Sequence, residues 1–358
     1  MTMIHPFKDV KKILVIKLRH IGDVLLTVPL FRALKENFPN SHISALVNSG
    51  TEEMLTGNPL IDEIIVFDRV IEKMSTMQKY IEELTFLRSI RQKNFDMTVD
   101  LTNGDRAAII SFLSRARYRL AYTTYKGFAF KRYLYTHLAQ NYPHMHMVKH
   151  NLDILGQNGL SCQNTSLFLD ISDLDRDFIR GIIGIKQNIV HVHPTASLLH
   201  KCWKDEYMAD VISWLVRQGK KVVVTSSPDK KETDKAKRIL SLVFSRLTHD
   251  ASQVIDLCGK TTIKQLAAIS EASDLFFGID SAPMHIASAV GTPVVAIFGP
   301  SSETLWEPWC EKKLVISKNL PCRLPCKNKG NCQTHECINS IMPGEVITKI
   351  EGFMRGIN

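Results

Sequence analysis

No stretch of this chain stays apolar for the roughly 20 residues that a helix needs to cross a bilayer. The longest candidates are broken by charge, as in "KKILVIKLRHIGDVLLTVPLF". The first residues, "MTMIHPFKDVKK", offer neither an apolar core nor a small-residue cleavage site, so a cytoplasmic protein is expected. The glycines of a Walker-type phosphate loop are missing, a persuasive Asp-x-Asp turn is missing, and no recognised nucleic-acid motif occurs. The most informative absence is local: between Asp105 and Asp153 there is not one carboxylate.

That interval is filled instead by Arg115, Arg117, Arg119, Lys126, Lys131, Arg132 and Lys149, with His137, His144, His146 and His150. Tyrosines and phenylalanines from Tyr118 to Tyr142 are interleaved with them. Two readings stand side by side: a solvated face over ordinary core aromatics, or a surface that receives a polyanion. The net charge of +9 favours anionic partners in general: nucleic acid, acidic lipid or a phosphorylated substrate. At 358 residues, 44% hydrophobic and 23% charged, the chain has the balance of a soluble globular protein and fits two domains.

Short β-branched runs alternate with helical patterns. The strands predicted are Lys12–Lys17, His42–Val47, Glu63–Phe67 and Phe95–Asp100, then Asn188–His193, Lys220–Thr225, Val254–Leu257, Asp274–Ile279 and Pro293–Phe298. Helices are predicted between them, for example at Ser75–Arg91, Glu206–Arg217, Lys230–Val243 and Ile263–Glu271. Near-continuous apolar strands alternating with helices imply parallel sheets covered on both faces. The pattern runs twice, with a polar break over Asp170–Asn188. The fold class expected is α/β: two Rossmann-like domains meeting near residue 180, with ligands beyond the carboxyl ends of the strands, in a cleft between the sheets.

Three turns after predicted strands carry the candidate chemistry. Gly22-Asp23 follows the first strand; Asp23 is either a helix cap or a general base, and Pro29 makes the helix entry irregular. In "HPTASLLHKCW", Thr195, Ser197 and Lys201 group hydroxyls and a cation before a helix, which suits phosphate. In "GIDSAPMHIASAVG", Asp280 ends a strand and Ser281 and Ala282 admit a close ligand. Pro283 opens a helix over Ala282–Val290, and His285 is either a structural residue or a ligand group in its first turn.

"KLRHIGDVLLTVPLFRALKENFP", "HPTASLLHKCWKDE" and "GIDSAPMHIASAVGTPVVAIFGP" closely resemble, in the same order, blocks of the ADP-heptose:lipopolysaccharide heptosyltransferases. The resemblance implies a GT-B fold and inverting transfer of heptose to the inner core of lipopolysaccharide. The form "HPTA…KCW" with "RHIGDVLLT" is most similar to the heptosyltransferase III type, which adds a branch heptose to the second core heptose. It further implies an N-terminal acceptor domain over 1–180 and an ADP-heptose domain over 181–342. A C-terminal helix over 343–358 is expected to pack back towards the N-terminal domain.

Carried over residue by residue, the resemblance makes Asp23 the catalytic base. Thr195 and Lys201 hold the donor diphosphate, with Ser197 supplying a hydroxyl where some relatives have a second Thr. Asp280, Ala282 and His285 line the donor site, with Ser281 where Thr is common. Lys260 and Thr261 lie on the adenine side. The glutamate that relatives place on the ribose has no clear counterpart in "SSPDKKETD", so Asp229 or Glu232 must substitute. Lys201, His285 and the helix dipole at Ala282 would stabilise the departing ADP, so no metal cofactor is required. Arg19, Arg115, Arg117, Arg119, Lys126, Lys131 and Arg132 form the expected acceptor face, since inner-core lipopolysaccharide carries phosphates and acidic sugars. Partners are then ADP-heptose and the lipid A–core acceptor, reached by peripheral association with the inner membrane, and not nucleic acid. Cys322, Cys326, Cys332 and Cys337 admit a structural zinc in principle, but the spacing is not a standard one and reduced cysteines in a loop are expected. Two alternatives remain: another heptosyltransferase step or nucleotide sugar on the same fold, and a basic binding protein for anionic membrane or nucleic acid.

Overall fold

The computed structural model describes residues 6–68, 76–124, 127–128, 130–142, 144–184, 188–247, 250–322, 326, 332 and 334–357. The chain divides into two compact units, parting between Asp170 and Ile171.

The first unit runs β1 (Lys12–Lys17), α1 (Ile21–Leu25), α2 (Val28–Asn37), β2 (His42–Asn48), β3 (Glu63–Phe67), α3 (Thr76–Gln92), β4 (Met97–Asp100), α4 (Asp105–Leu113), β5 (Tyr118–Tyr122), β6 (His137–Ala139) and α5 (Met147–Gly156). Among the described residues its six strands form a parallel sheet of order β3-β2-β1-β4-β5-β6. Ile13, Leu14, Val15 and Ile16 of β1 are buried on both faces of the sheet, the pattern that helices on either side impose. The order reverses between β1 and β4, so the chain leaves these two neighbouring strands in opposite directions. The irregular helix entry expected after Gly22-Asp23 is present. Five residues of α1 end at Leu25, and α2 restarts at Val28 with Pro29 in its first turn, where a missing N–H costs nothing.

The second unit repeats the scheme with α6 (Asp173–Ile183), β7 (Ile189–His193), α7 (Asp205–Arg217), β8 (Lys221–Val224), α8 (Lys230–Arg246), β9 (Val254–Asp256), α9 (Ile263–Glu271), β10 (Leu275–Ile279), α10 (Ala282–Ala289), β11 (Val294–Phe298) and β12 (Lys313–Ser317). The sheet order is β12-β11-β10-β7-β8-β9, all parallel, and it reverses between β10 and β7. At that seam Gly278 is required: a Cβ there would meet the carbonyl oxygen of His193 at 2.7 Å.

Two expectations change. The polar break after Asp170 contains helix α6, capped by Ser172, whose Oγ accepts from Asp175 N at 3.1 Å. The helix is amphipathic: Ile179 and Ile183 turn inward, and Arg176 makes a two-pronged bond to Glu271 of α9, at 2.7 and 3.0 Å. Strands β5, β6 and β12 were not expected. β5 carries Arg119 between apolar neighbours, and β6 spans three residues, too short for a periodic signal. The C-terminal helix Pro343–Ile357 buries Val346 and Ile350 in the core of the second unit, packed against α7, which accounts for its apolar face there.

Candidate active site

In each unit the polar residues collect where the strand order reverses, at the carboxyl ends of the central strands, as open parallel sheets favour. In the second unit the chain leaving β7 carries Thr195 and Lys201, and the chain leaving β10 carries Asp280 and Ser281. Lys201 Nζ donates to Asp280 Oδ2 at 2.7 Å, joining the two exits. The carboxylate side chain is 7% exposed and the lysine 27%, so the pair is anchored in the protein and open on the ammonium side. Helix α10 begins directly after Asp280. Ser281 at its N-cap makes no side-chain capping bond and instead donates to Ile279 O at 3.3 Å. The positive end of α10 thus stands beside the ammonium of Lys201, a setting for a polyphosphate.

Thr195 is fully buried and its hydroxyl donates to Glu232 Oε2 at 2.8 Å. Burial pushes the Glu232 carboxyl above its ordinary value, against the hydrogen bonds from Thr195 and Ser227 that pull it down. The two acids left open by the sequence are placed differently. Asp229 is the exposed N-cap of α8, its Oδ1 accepting from Lys231 N at 2.9 Å, whereas Glu232, one turn on, points inward. The hydroxyl of Thr195, expected to hold the donor diphosphate, is bonded to Glu232 in this structure. His285, expected on the donor site, is buried at 3% exposure in the first turn of α10, its ring 6.4 Å from that of Trp306. Ser197 is exposed after β7, and Lys260 and Thr261 follow β9 at the sheet edge, where Lys260 Nζ reaches back to Asp256 O at 2.9 Å.

In the first unit Asp23 lies half-buried in α1, just past β1. Arg19 Nη2 donates to Thr102 O at 2.9 Å and Leu18 N to Thr102 Oγ1 at 2.8 Å, tying the exits of β1 and β4 together. Behind them is a residue that pattern reading passed over as the end of a strand. Lys17 is 3% exposed, and its Nζ donates to Leu101 O and Asn151 Oδ1, both at 3.3 Å. Burial lowers its pKa to about 8, and the negative charge of Asp23 is the strongest influence holding it up. A cation that ends an otherwise apolar run was the available signal. Asp100 is also buried; it accepts from Tyr135 and from the backbone N–H groups of Thr102 and Asn103, which shapes the turn beside Arg19.

The expected acceptor face is not one patch. Arg115 and Arg117 precede β5 and Arg119 is its second residue, so they stand at the amino edge of the sheet, opposite Asp23. Arg119 donates to Leu134 O at 2.7 Å and Ala116 O at 2.6 Å. Lys131 does belong to the Asp23 edge, but it is 4% exposed and spent on Asn103 O at 2.8 Å and Asp105 at 3.3 Å. Arg132 is exposed over the ring of Tyr133, and Lys126 lies outside the described residues. His146 caps α5 and His150 stacks on Tyr122, so the histidines of this interval have separate structural partners. No group of three metal-ligating side chains forms among the described residues, the C-terminal cysteines included.

A second feature invisible to motif reading lies under the donor edge. His191 Nε2 and His193 Nδ1 both meet Thr225 Oγ1, at 2.7 and 2.8 Å, and His191 Nδ1 meets Ser270 Oγ at 2.8 Å. Burial lowers the pKa of His191 well below its ordinary value and that of His193 to about 3. Below pH 6.5 the unfolded chain therefore binds protons that the folded one refuses, and stability is lost as the pH falls. The thermal midpoint is expected to drop between pH 6.5 and pH 5, with His193 alone costing about 2 kcal/mol of stability at pH 5. In His193→Gln the acid slope should be shallower, and an unchanged slope would contradict this account.

Two units, each a six-stranded parallel sheet with a polar reversal edge, are the architecture of the GT-B fold. A structure described as a glycosyl transferase family 9 protein from Veillonella parvula matches with a TM-score of 0.81 at 22% identity, covering 99% of this chain and 100% of that one. The Escherichia coli structure described as ADP-heptose lps heptosyltransferase II matches with a TM-score of 0.76 at 20% identity, covering 97% and 99%. The profile of glycosyltransferase family 9 (heptosyltransferase) matches residues 84–336. "Lipopolysaccharide heptosyltransferase 3" of Escherichia coli is 32% identical over 345 residues, 93% of this chain and 96% of that protein. The chain belongs to glycosyltransferase family 9, the heptosyltransferases.

Proposed function

We propose that this enzyme transfers heptose from ADP-heptose to the inner core of lipopolysaccharide, as a branch on the second core heptose, by a single inverting displacement. The observation that carries the reading is the Lys201–Asp280 pair at the positive end of α10, on the reversal edge of the second unit. Its family membership and its likeness to proteins named lipopolysaccharide heptosyltransferase 3 support the acceptor class. The name of the Escherichia coli structure supports the donor.

In this reading the donor diphosphate rests on Lys201, Ser281, Ala282 and the first turn of α10. Glu232, oriented by Thr195, accepts from the ribose hydroxyls, and Lys260 and Thr261 flank the base. Asp23 takes the proton from an acceptor hydroxyl as that oxygen attacks the anomeric carbon. The bond from that carbon to the diphosphate oxygen breaks, its configuration inverts, and the charge gathering on ADP is met by the ammonium of Lys201 and the helix dipole. Arg19 and the exits of β1 and β4 receive the acceptor. We place the work at the cytoplasmic face of the inner membrane, where a lipid-anchored acceptor would be met. No helix among the described residues is long and apolar enough to cross a membrane.

A melting experiment with ADP tests the donor half. Saturating ADP should raise the melting temperature, since a ligand that binds only the folded state stabilises it by mass action. No shift at ADP concentrations up to millimolar would contradict the assignment.

A further inference from the structure

Helices α3 and α4 pack side by side on one face of the first sheet, turning Phe86, Leu87 and Ile90 of α3 and Ala107 and Ile110 of α4 towards β1 and β2. Arg106 of α4 ties them, pairing with Glu83 at 3.3 Å and lying 4.6 Å over the ring of Phe67. One stripe of the outward side of α3 is apolar. Met77, Tyr80, Ile81 and Leu84 are 73%, 62%, 55% and 54% exposed, and they recur at the i, i+3, i+4, i+7 spacing of one helical stripe. On α4, Ile109 and Phe112 are also more than 40% exposed. A soluble surface scatters its exposed apolar side chains; a set aligned along one stripe of a helix marks a surface that something covers.

The same stripe says what covers it. Continuing along α3 at helical spacing, the next outward positions are Arg88 and Arg91, both exposed, and Arg115 is exposed just past α4. The acids of the layer are largely neutralised: Glu83 by Arg106 and Asp105 by Lys131, leaving Glu82 as the exposed carboxylate of α3. An apolar stripe rimmed by arginines is the pattern of a helix lying in the headgroup boundary of an anionic bilayer. The orientation also fits. Helix α3 follows β3, so its apolar start lies towards the carboxyl edge that carries Asp23, and its arginines lie towards the opposite edge.

We propose that the outer face of the α3–α4 layer docks on an anionic phospholipid bilayer, laying Ile81 and Leu84 into it with Arg88, Arg91 and Arg115 on the headgroups. This deepens the proposed function and rests on it only for the acceptor's lipid anchor; vesicle binding is measured without any substrate.

The test is co-sedimentation of the full chain with vesicles of equal parts phosphatidylethanolamine and phosphatidylglycerol. Wild type should bind, and replacing phosphatidylglycerol with phosphatidylcholine should weaken binding strongly. The double variant Ile81→Glu, Leu84→Glu should lose at least about tenfold in partitioning, because two apolar side chains no longer leave water. Arg88→Gln with Arg91→Gln, which leaves the apolar stripe intact, should lose the preference for phosphatidylglycerol. The Ile81, Leu84 variant should keep wild-type melting, the ADP shift, and transfer to a water-soluble, de-acylated core acceptor. Wild type that ignores vesicles, or a double variant that binds as wild type does, would overturn the docking face. So would a wild-type dimer that the double variant splits, since the stripe would then join two copies. Loss of the ADP shift or of transfer in wild type would instead overturn the proposed function and leave the vesicle result standing.

Discussion

Replacing Asp23 with Ala should lower the rate of heptosyl transfer by about 10²- to 10⁴-fold, the usual contribution of a positioned general base. The ADP-induced melting shift should remain, because the donor residues lie in the other unit. The substitution removes a half-buried carboxylate from a five-residue helix, so the core strands are not disturbed. It also has a local electrostatic consequence. The charge of Asp23 is the strongest influence that holds up the pKa of Lys17, which already stands at about 8 through burial. Without that charge Lys17 should titrate lower still, closer to neutrality. Asp23→Asn separates the two effects of charge and shape: it keeps the side-chain volume, and it should be as inactive as Ala. Full turnover by either variant would remove Asp23 from the chemistry.

The second large effect concerns the Lys201–Asp280 pair. Lys201→Ala should cost about 10²- to 10³-fold in kcat/KM, the scale on which a single preorganised charge at a departing group acts. Lys201→Arg should rescue little, since a planar fork cannot replace a point charge 2.7 Å from a carboxylate in a confined turn. Part of the loss is indirect. Asp280 is nearly buried, and an unpartnered carboxylate beside the diphosphate site would repel the donor. In Lys201→Ala, Asp280→Asn that repulsion is gone, so the double variant should bind ADP better than Lys201→Ala alone. Because Lys201 is about a quarter exposed, solvent screens the pair, and the change in melting temperature should be small beside the change in activity. Equal ADP affinity in the single and double variants would show that Lys201 and Asp280 do not share one site.

The central elements were legible because burial on both sides leaves a long apolar signature. β1, β7, β10 and β11 are almost continuous runs of Val, Ile, Leu and Phe, and each was bounded within a residue. The turns that follow them were legible for the same reason, as polar residues where an apolar run stops. What could not be read was which side a polar group faces. Asp229 and Glu232 are three residues apart, and only the cap at Asp229 turns one outward and the other towards Thr195. Lys131 looked like a free cation in a basic interval, yet it is folded under Asn103 and Asp105. Arg115 and Arg117 were grouped with Arg19 on one acceptor face because β5 was unrecognised; with that strand in place they stand at the amino edge of the sheet. Charge counted along the chain carries no direction, and strand polarity supplies it.

The most direct test is transfer itself. The purified chain is incubated with ADP-heptose and a set of defined truncated lipopolysaccharide cores, and the products are read by mass spectrometry and linkage analysis. One added heptose is predicted, as a branch on the second core heptose, with no reaction on cores that end before that residue. No transfer to any core, or a heptose attached to another position, would contradict the account.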